Sequence, residues 1–393
     1  MKLFKCPACS QVLFFENTRC ENCGRRVGYL AGPNRLTAVE PNGGAWTPFG
    51  DGSASFRFCA NADYDCCNWL VPADSRDRLC AACRHNEIVP DLSQGGNVAL
   101  WRKIELAKHR LFYSLLRFDL PLRTRQESPE GLAFDFLDDR GASAGPKVLT
   151  GHDSGRITIA LAEADDAERE SRRSAMREPY RTLLGHFRHE IGHYYWDRLV
   201  RDSDLLAPCR AVFGDDARDY DEALRTHYER GAPADWREHF VSAYATSHPW
   251  EDFAETWAHY FHIVDTLEMA RASGVDIHPS LGARGDLDAH IDFEPYRAAD
   301  VEQLVGAWLP LTFALNSINR CMGQPDLYPF VLTPAIVAKL GFIHRLVGSA
   351  ELGRASRASS RPTIGGGAQS SWESAEPRRP ASRDGQLWAP PAP

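Results

Sequence analysis

The chain has 393 residues, 43% of them hydrophobic and 25% charged, with a formal net charge of −8. This is the make-up of a globular protein long enough for more than one unit, and its acidity gives no electrostatic reason to expect nucleic acid or an anionic membrane as partner. No apolar run approaches the ~20 residues that span a bilayer, and the opening Met1-Lys2-Leu3-Phe4-Lys5-Cys6-Pro7 has no apolar signal-peptide core, so a cytoplasmic location is expected.

Nine of the eleven cysteines fall in the first 83 residues. Without a secretory leader, and with Cys-x-x-Cys spacing, metal binding is favoured over disulfides. Cys6-Pro7-Ala8-Cys9 and Cys20-Glu21-Asn22-Cys23 form two knuckles joined by a short segment with Val12, Leu13, Phe14 and Phe15. Four thiolates in tetrahedral array suit zinc. A zinc ribbon is therefore predicted over residues 1–30, with the metal supplying folding energy that so short a segment lacks. Free or redox-active thiols are the competing reading.

A second four-cysteine module is predicted over residues 31–95. Cys59, Cys66, Cys67, Cys80 and Cys83 offer five thiols for four positions. Buried cysteines without metal are the alternative there. Residues 1–95 carry ten basic and ten acidic side chains, and each four-thiolate zinc site would add about −2. That is not the basic footprint of a nucleic-acid binder, so a structural or protein-facing role is expected.

Farther on, Leu100, Ile104, Ala107, Leu111 and Leu115 recur at helical spacing, predicting a linking helix from Asn97 to about Leu116, ended by Pro121. Strand-like runs follow at Leu132–Leu137 and Arg156–Leu161, with Gly151 and Gly155 as turn residues. Glu163, Asp165, Asp166 and Glu168 read as a solvated helix start favoured by the helix dipole, in preference to a cation site. Pro179 suits the first turn of the next helix, whose broad apolar face includes Leu183, Leu184, Phe187, Ile191, Tyr194 and Tyr195. Further helices are predicted at about 249–272, 298–316 and 333–347. Residues 350–393, rich in Ser, Arg, Gly, Pro and Ala, are expected to be a disordered tail in which Trp372 and Trp388 are stray aromatics.

Within the helix after Pro179 lies His189-Glu190-Ile191-Gly192-His193. Residues four apart share one helix face, so both imidazoles can reach one metal ion, while Glu190 is placed to take a proton from a metal-activated water. Such a site needs a third protein ligand. Trp196 and Leu199 occupy the positions where a metzincin has glycine and histidine, which excludes that class. Glu251 and Glu255, one turn apart in Trp250-Glu251-Asp252-Phe253-Ala254-Glu255, offer a carboxylate from a later helix.

This constellation resembles the gluzincin peptidases, particularly the anthrax lethal-factor type of site, in which a Tyr likewise stands seven residues before the ligand Glu. The order of two cysteine modules and then this core resembles a bacterial family of zinc-binding metallopeptidases with an N-terminal zinc ribbon. The matching features are Cys59-Ala60-Asn61, Cys67-Asn68-Trp69-Leu70-Val71-Pro72, Thr150-Gly151-His152, Ile157-Thr158-Ile159, Ala162-Glu163-Ala164-Asp165, His189–His193, Trp250–Glu255 and Asp326-Leu327-Tyr328-Pro329-Phe330. The resemblance spans about residues 1–348. It implies His189, His193 and Glu251 as ligands of a catalytic zinc, Glu190 as general base, Tyr244 as oxyanion donor and Glu255 as the outer carboxylate that orients a ligand histidine. It also favours Cys67 over Cys66, giving Cys59, Cys67, Cys80 and Cys83 as the second structural set. Arg156–Leu161 then takes the place of the strand along which a peptide substrate lies.

The expectation is an α+β chain with a zincin-like, mostly helical metallopeptidase core and a small edge sheet at 96–349, preceded by zinc-ribbon β modules. It would bind three zinc ions, one catalytic and two structural, and act on a peptide or protein. The rival reading is a non-catalytic zinc-ribbon adaptor with a peptidase-like core. His186, His248, His259 and His262 are read as ordinary helix histidines rather than substitute ligands. His152 is a candidate cleft residue, Asp197 a candidate brace for the active helix, and Cys209 and Cys321 are read as inert. Substrate, oligomeric state and whether the N-terminal module recruits substrate or blocks the cleft are left open by the sequence.

Overall fold

The computed structural model describes residues 1–52, 54–138, 148, 150–175, 178, 180–280 and 287–359. Strands β1 (Phe4–Lys5) and β2 (Val12–Leu13) form a two-stranded antiparallel ribbon that carries the first cysteine knuckle. Strands β3 (Val27–Leu30), β4 (Arg35–Asn42), β5 (Ala45–Pro48), β6 (Phe56–Phe58) and β7 (Leu70–Pro72) make one antiparallel sheet in chain order. Val27 pairs with Ala38 and Leu30 with Arg35, so a single sheet runs across residue 30.

The short β8 (Asn86–Ile88) leaves this module and pairs in parallel with β9 (Ala133–Leu137). With β10 (Gly151–Asp153) and β11 (Arg156–Ala160) they form a four-stranded sheet of order β10-β11-β9-β8. The strand predicted at Arg156–Leu161 is therefore interior, flanked by β9 on one side and β10 on the other. It pairs with both neighbours, and the edge on its side of the sheet is β10, a strand the sequence reading took as a turn.

Helix α1 (Asn97–Arg117) is the predicted linking helix. Helix α2 (Asp166–Ala175) follows the sheet, with Asp165 Oδ1 accepting the Ala167 and Glu168 N–H groups at 2.9 and 3.1 Å. Glu163 corrects the expectation of a solvated cluster. It is 1% exposed and held by Arg172 at 2.8 Å and Arg181 at 2.9 Å, with His186 at 3.4 Å.

Helix α3 (Leu183–Leu199) carries the two histidines and starts at Thr182, whose hydroxyl accepts the Gly185 N–H at 3.0 Å. Pro179 lies outside the described residues. Three helices that the sequence reading did not name come next: α4 (Leu206–Phe213), α5 (Tyr220–Arg230) and α6 (Trp236–His239).

Helix α7 (Pro249–Ser273) begins with proline behind the N-cap His248 and ends at Gly274, whose φ of 68° is the left-handed conformation of a helix C-cap. Helices α8 (Val301–Cys321) and α9 (Pro334–Ser359) close the core, α9 running past the predicted end at Val347. This corrects the start of the tail expected over 350–393: residues 350–359 continue the helix, and the rest of it, from 360 onward, lies outside the described residues. None of the described helices is long and apolar enough to cross a membrane.

The centre of the core is the crossing of α3 and α7. Gly192 makes the approach possible, because a Cβ there would stand 3.0 Å from the Ala254 Cα and 3.2 Å from the Trp257 Cβ. This contact brings the first turn of α7 beside His189 and His193. The N-terminal modules dock elsewhere: the Met1 ammonium lies 2.8 Å from Glu268, and Arg110 on α1 pairs with Glu16 at 2.6 Å. Glu268 is seventeen residues beyond Glu251 on α7, about 25 Å at 1.5 Å per residue. On the sheet, β8 and β10 are opposite edges, about 14 Å apart at the usual strand spacing.

Candidate metal centres

The two cysteine sets form separate clusters, Cys6, Cys9, Cys20 and Cys23 in one and Cys59, Cys67, Cys80 and Cys83 in the other. Sulfur separations are 3.8 Å for Cys6–Cys23, 3.5 Å for Cys9–Cys20 and 3.7 Å for Cys67–Cys80. A tetrahedron with zinc–sulfur bonds of about 2.3 Å has edges of about 3.8 Å, whereas a disulfide would need about 2.05 Å. The geometry fits a shared metal and excludes disulfides in these pairs. Cys66 stands aside, its thiol directed to the Tyr64 carbonyl at 3.4 Å.

Backbone amides supply part of the charge compensation. In the first cluster the N–H of Arg25 draws the Cys23 thiol down to about 6. In the second, the Cys80 N–H reaches Cys59 Sγ at 3.3 Å and the Trp69 N–H reaches Cys67 Sγ at 3.4 Å. The second cluster also has a partner that the sequence did not reveal. His109 of α1 places Nε2 3.3 Å from Cys67 Sγ and 3.5 Å from Cys83 Sγ, while Nδ1 meets the Glu105 carbonyl at 2.6 Å. Burial alone would lower its pKa, but the Cys83 thiol and Glu105 outweigh burial and raise it. The ring thus bridges the sulfurs and the α1 backbone, where positive charge on it is favoured. His109 lies off the Ile104–Leu111 face by which the linking helix was recognised, and no cysteine or histidine at metal-ligand spacing stands beside it in the sequence.

The third cluster gathers His189, His193 and Glu251. His189 Nε2 is 2.9 Å from Glu251 Oε2 and 3.1 Å from His193 Nε2, and His193 Nε2 is 3.4 Å from the same oxygen. Bonds of about 2.0–2.1 Å to a tetrahedral zinc give edges of about 3.3 Å. Proton bookkeeping points the same way. His189 Nδ1 lies 2.8 Å from Glu255 Oε1, so it donates there and leaves Nε2 as a lone pair facing a carboxylate oxygen. Two acceptors held that close need a positive charge between them, which a proton supplies in the metal-free site and a metal ion supplies when bound. Burial would lower the His189 pKa, yet Glu251 and Glu255 raise it well above 6.5, another sign that the spot favours positive charge. Zinc therefore fits the donor set.

Around this triad the outer contacts are specific. Ser242 Oγ donates to Glu255 Oε2 at 2.6 Å, fixing the carboxylate that orients His189. The Tyr220 hydroxyl donates to Glu251 Oε1 at 2.5 Å. The Trp250 ring lies against His193, with centroids 3.6 Å apart. Glu190 is buried beside the triad, and burial pushes its carboxyl up to about 7, where a carboxylate can both accept and return a proton near neutral pH. The Tyr244 ring stands 5.9 Å from that of His189, and burial followed by the nearby Glu251 carboxylate keeps its hydroxyl protonated, its pKa well above 10.

Of the other histidines, His152 on β10 lies near the triad, its ring 6.3 Å from that of His193 and 6.2 Å from that of Trp250. Its Nε2 accepts the Gly155 N–H at 3.0 Å, which leaves the proton on Nδ1. His248 caps α7, His259 faces the Tyr328 hydroxyl at 2.7 Å, and His262 contacts Arg188, so each is engaged away from the triad. Asp197 pairs with Arg201 at 3.0 Å. Cys209 is buried and Cys321 exposed, neither belonging to a cluster. Sequence reasoning missed Tyr220 and Ser242. The only local signal for Tyr220 was Asp219 with Glu222 three residues on, the pattern of a helix start.

A family profile described as "Putative zinc-binding metallo-peptidase" matches residues 97–346, and a zinc-ribbon domain profile matches residues 3–94. Uncharacterized proteins of Mycobacterium bovis and Mycobacterium tuberculosis are each 42% identical over 349 residues, covering 88% of this chain and 95% of the relative. No solved structure matches. With a profile covering most of its helical core and relatives at this identity, the chain belongs to the zinc-binding metallo-peptidase family and carries its zinc-ribbon domain in front.

Proposed function

We propose that this chain is a zinc-dependent peptidase of the gluzincin type, with a zincin-like core and its active site at His189, Glu190, His193, Glu251 and Tyr244. The observation that carries the reading is the convergence of two imidazole nitrogens and one carboxylate oxygen, at mutual distances of 2.9–3.4 Å, beside a buried glutamate near neutral pKa. Zinc bound there supplies a Lewis acid that lowers the pKa of a water toward about 7 and polarises the scissile carbonyl.

Glu190 accepts the proton of the attacking water and returns it to the departing amine. Tyr244, protonated at all ordinary pH values, donates a hydrogen bond to the oxygen that becomes negative in the transition state. Glu255, itself held by Ser242, keeps His189 in the tautomer that presents Nε2 to the metal. An extended peptide pairs with the outer edge of β10, which has no strand partner among the described residues, rather than with β11, running past His152 and Trp250. The N-terminal modules, docked at the far end of α7 and the far edge of the sheet, leave that approach open and serve the fold of the core.

Zinc-loaded full-length protein incubated with a complex peptide library should generate new termini, read by mass spectrometry, in a reaction abolished by chelator. Glu251→Ala should release one zinc of three and abolish that cleavage. Failure of the zinc-loaded wild type to cleave any library would contradict the proposal.

A further inference from the structure

Tyr220 is the first residue of α5, behind the N-cap Asp219, whose carboxylate accepts the Glu222 N–H at 2.8 Å. The cap fixes the first turn and with it the direction in which the phenol leaves the helix. The ring then stands edge-on to His248 at 5.3 Å and to Trp250 at 5.7 Å, both at the start of α7. Its hydroxyl ends 2.5 Å from Glu251 Oε1.

The two oxygens of this one carboxylate are thus divided. Oε2 faces His189 and His193, and Oε1 is taken by the phenol. Helix α5 has a second hold on the site through His227, whose Nδ1 is 3.1 Å from Thr246 Oγ1 and whose ring stands 6.2 Å from that of Tyr244. Only Ala223 and Leu224 of α5 are buried, so these polar and aromatic contacts, rather than a large apolar face, tie the helix to the core.

On the reading that His189, His193 and Glu251 hold zinc, we infer that Tyr220 is a positioning residue for the metal-binding carboxylate. By occupying Oε1 it makes Glu251 a one-oxygen ligand and keeps the fourth position of the tetrahedron open for water. Without the hydroxyl, Glu251 loses the contact that holds it in one orientation, and Oε1 is free to turn inward and bind the metal beside that water, raising the coordination number from four to five. Outer contacts of this kind typically govern metal affinity by about 10–100-fold.

Tyr220→Phe tests this, because it keeps the ring contacts with His248 and Trp250 and removes the hydroxyl alone. In full-length protein, the affinity of the weakest-held zinc is measured by chelator competition. The visible spectrum is then recorded with cobalt(II) in that site while the cysteine clusters retain zinc. The expected result is an affinity lower by about 10–100-fold and weaker cobalt bands, as coordination rises from four to five. An affinity within about twofold of wild type and a superimposable cobalt spectrum, the outcome for a purely packing role, would overturn the inference. A wild type that holds no third zinc would instead overturn the functional reading on which it rests.

Discussion

The second cysteine cluster and the histidine–glutamate cluster are both built where two parts of the chain meet, yet they are finished in opposite ways. Around Cys59, Cys67, Cys80 and Cys83 every ligand is buried, four thiolates complete a tetrahedron, and His109 closes the outer face. At His189, His193 and Glu251 there are three candidate ligands, with Glu190 buried nearby, the Tyr244 ring 5.9 Å from that of His189 and the His152 ring 6.3 Å from that of His193. Closure marks a site whose product is stability, and an open position marks one that handles a substrate. The comparison also explains why the cysteine module cannot be treated as a detachable recruiter. Its fourth edge is a histidine of α1, and its last strand, β8, is completed only by β9 of the core.

The sharpest way to break the comparison is to open the closed site. Cys80→Ser should lose one zinc and, since such sites contribute about 10–16 kcal/mol of apparent binding energy to folding, should unfold the peptidase core along with the module. Thermal unfolding and metal analysis read this directly. A variant with a native melting temperature would show that the module is dispensable.

Next in size, Tyr244→Phe should keep all three zincs and lower kcat by about 10²–10³-fold, the usual cost of one oxyanion donor. An unaltered kcat would move that role to another group. The smallest effect is expected at the helix crossing that sets up the open site. Gly192→Ala places a methyl 3.0 Å from the Ala254 Cα and should push α3 from α7, costing about 1–3 kcal/mol on denaturant unfolding. It should also weaken the catalytic zinc, because the histidines move relative to Glu251. An unchanged metal affinity would mean that the crossing has slack.

Much of the site was legible because its chemistry is local. Four residues on a helix put His189 and His193 on one face, and one turn relates Glu251 to Glu255. The paired Cys-x-x-Cys knuckles are local in the same sense. What escaped was set by tertiary contact. Helix α5 has a charged sequence with only two buried residues, so nothing in its pattern announces that Tyr220 reaches Glu251, thirty-one positions away. His109 sits on a well-predicted helix, but only the docking of the cysteine module gives its outer nitrogen a function. The edge strand was misjudged for a related reason. β11 is the more apolar run, and that apolarity reflects its place between two neighbours, whereas the three-residue β10, Gly-His-Asp, has a strand partner on one side only among the described residues.

The central claim, that the open cluster performs hydrolysis and does not merely bind metal, rests on Glu190. In Glu190→Gln the carboxylate is replaced by an amide of the same shape, leaving His189, His193 and Glu251 untouched. Metal analysis and library cleavage on the same preparation should show three zincs per chain and a rate lower by at least about 10²-fold. Full zinc content with an unchanged rate would contradict the account.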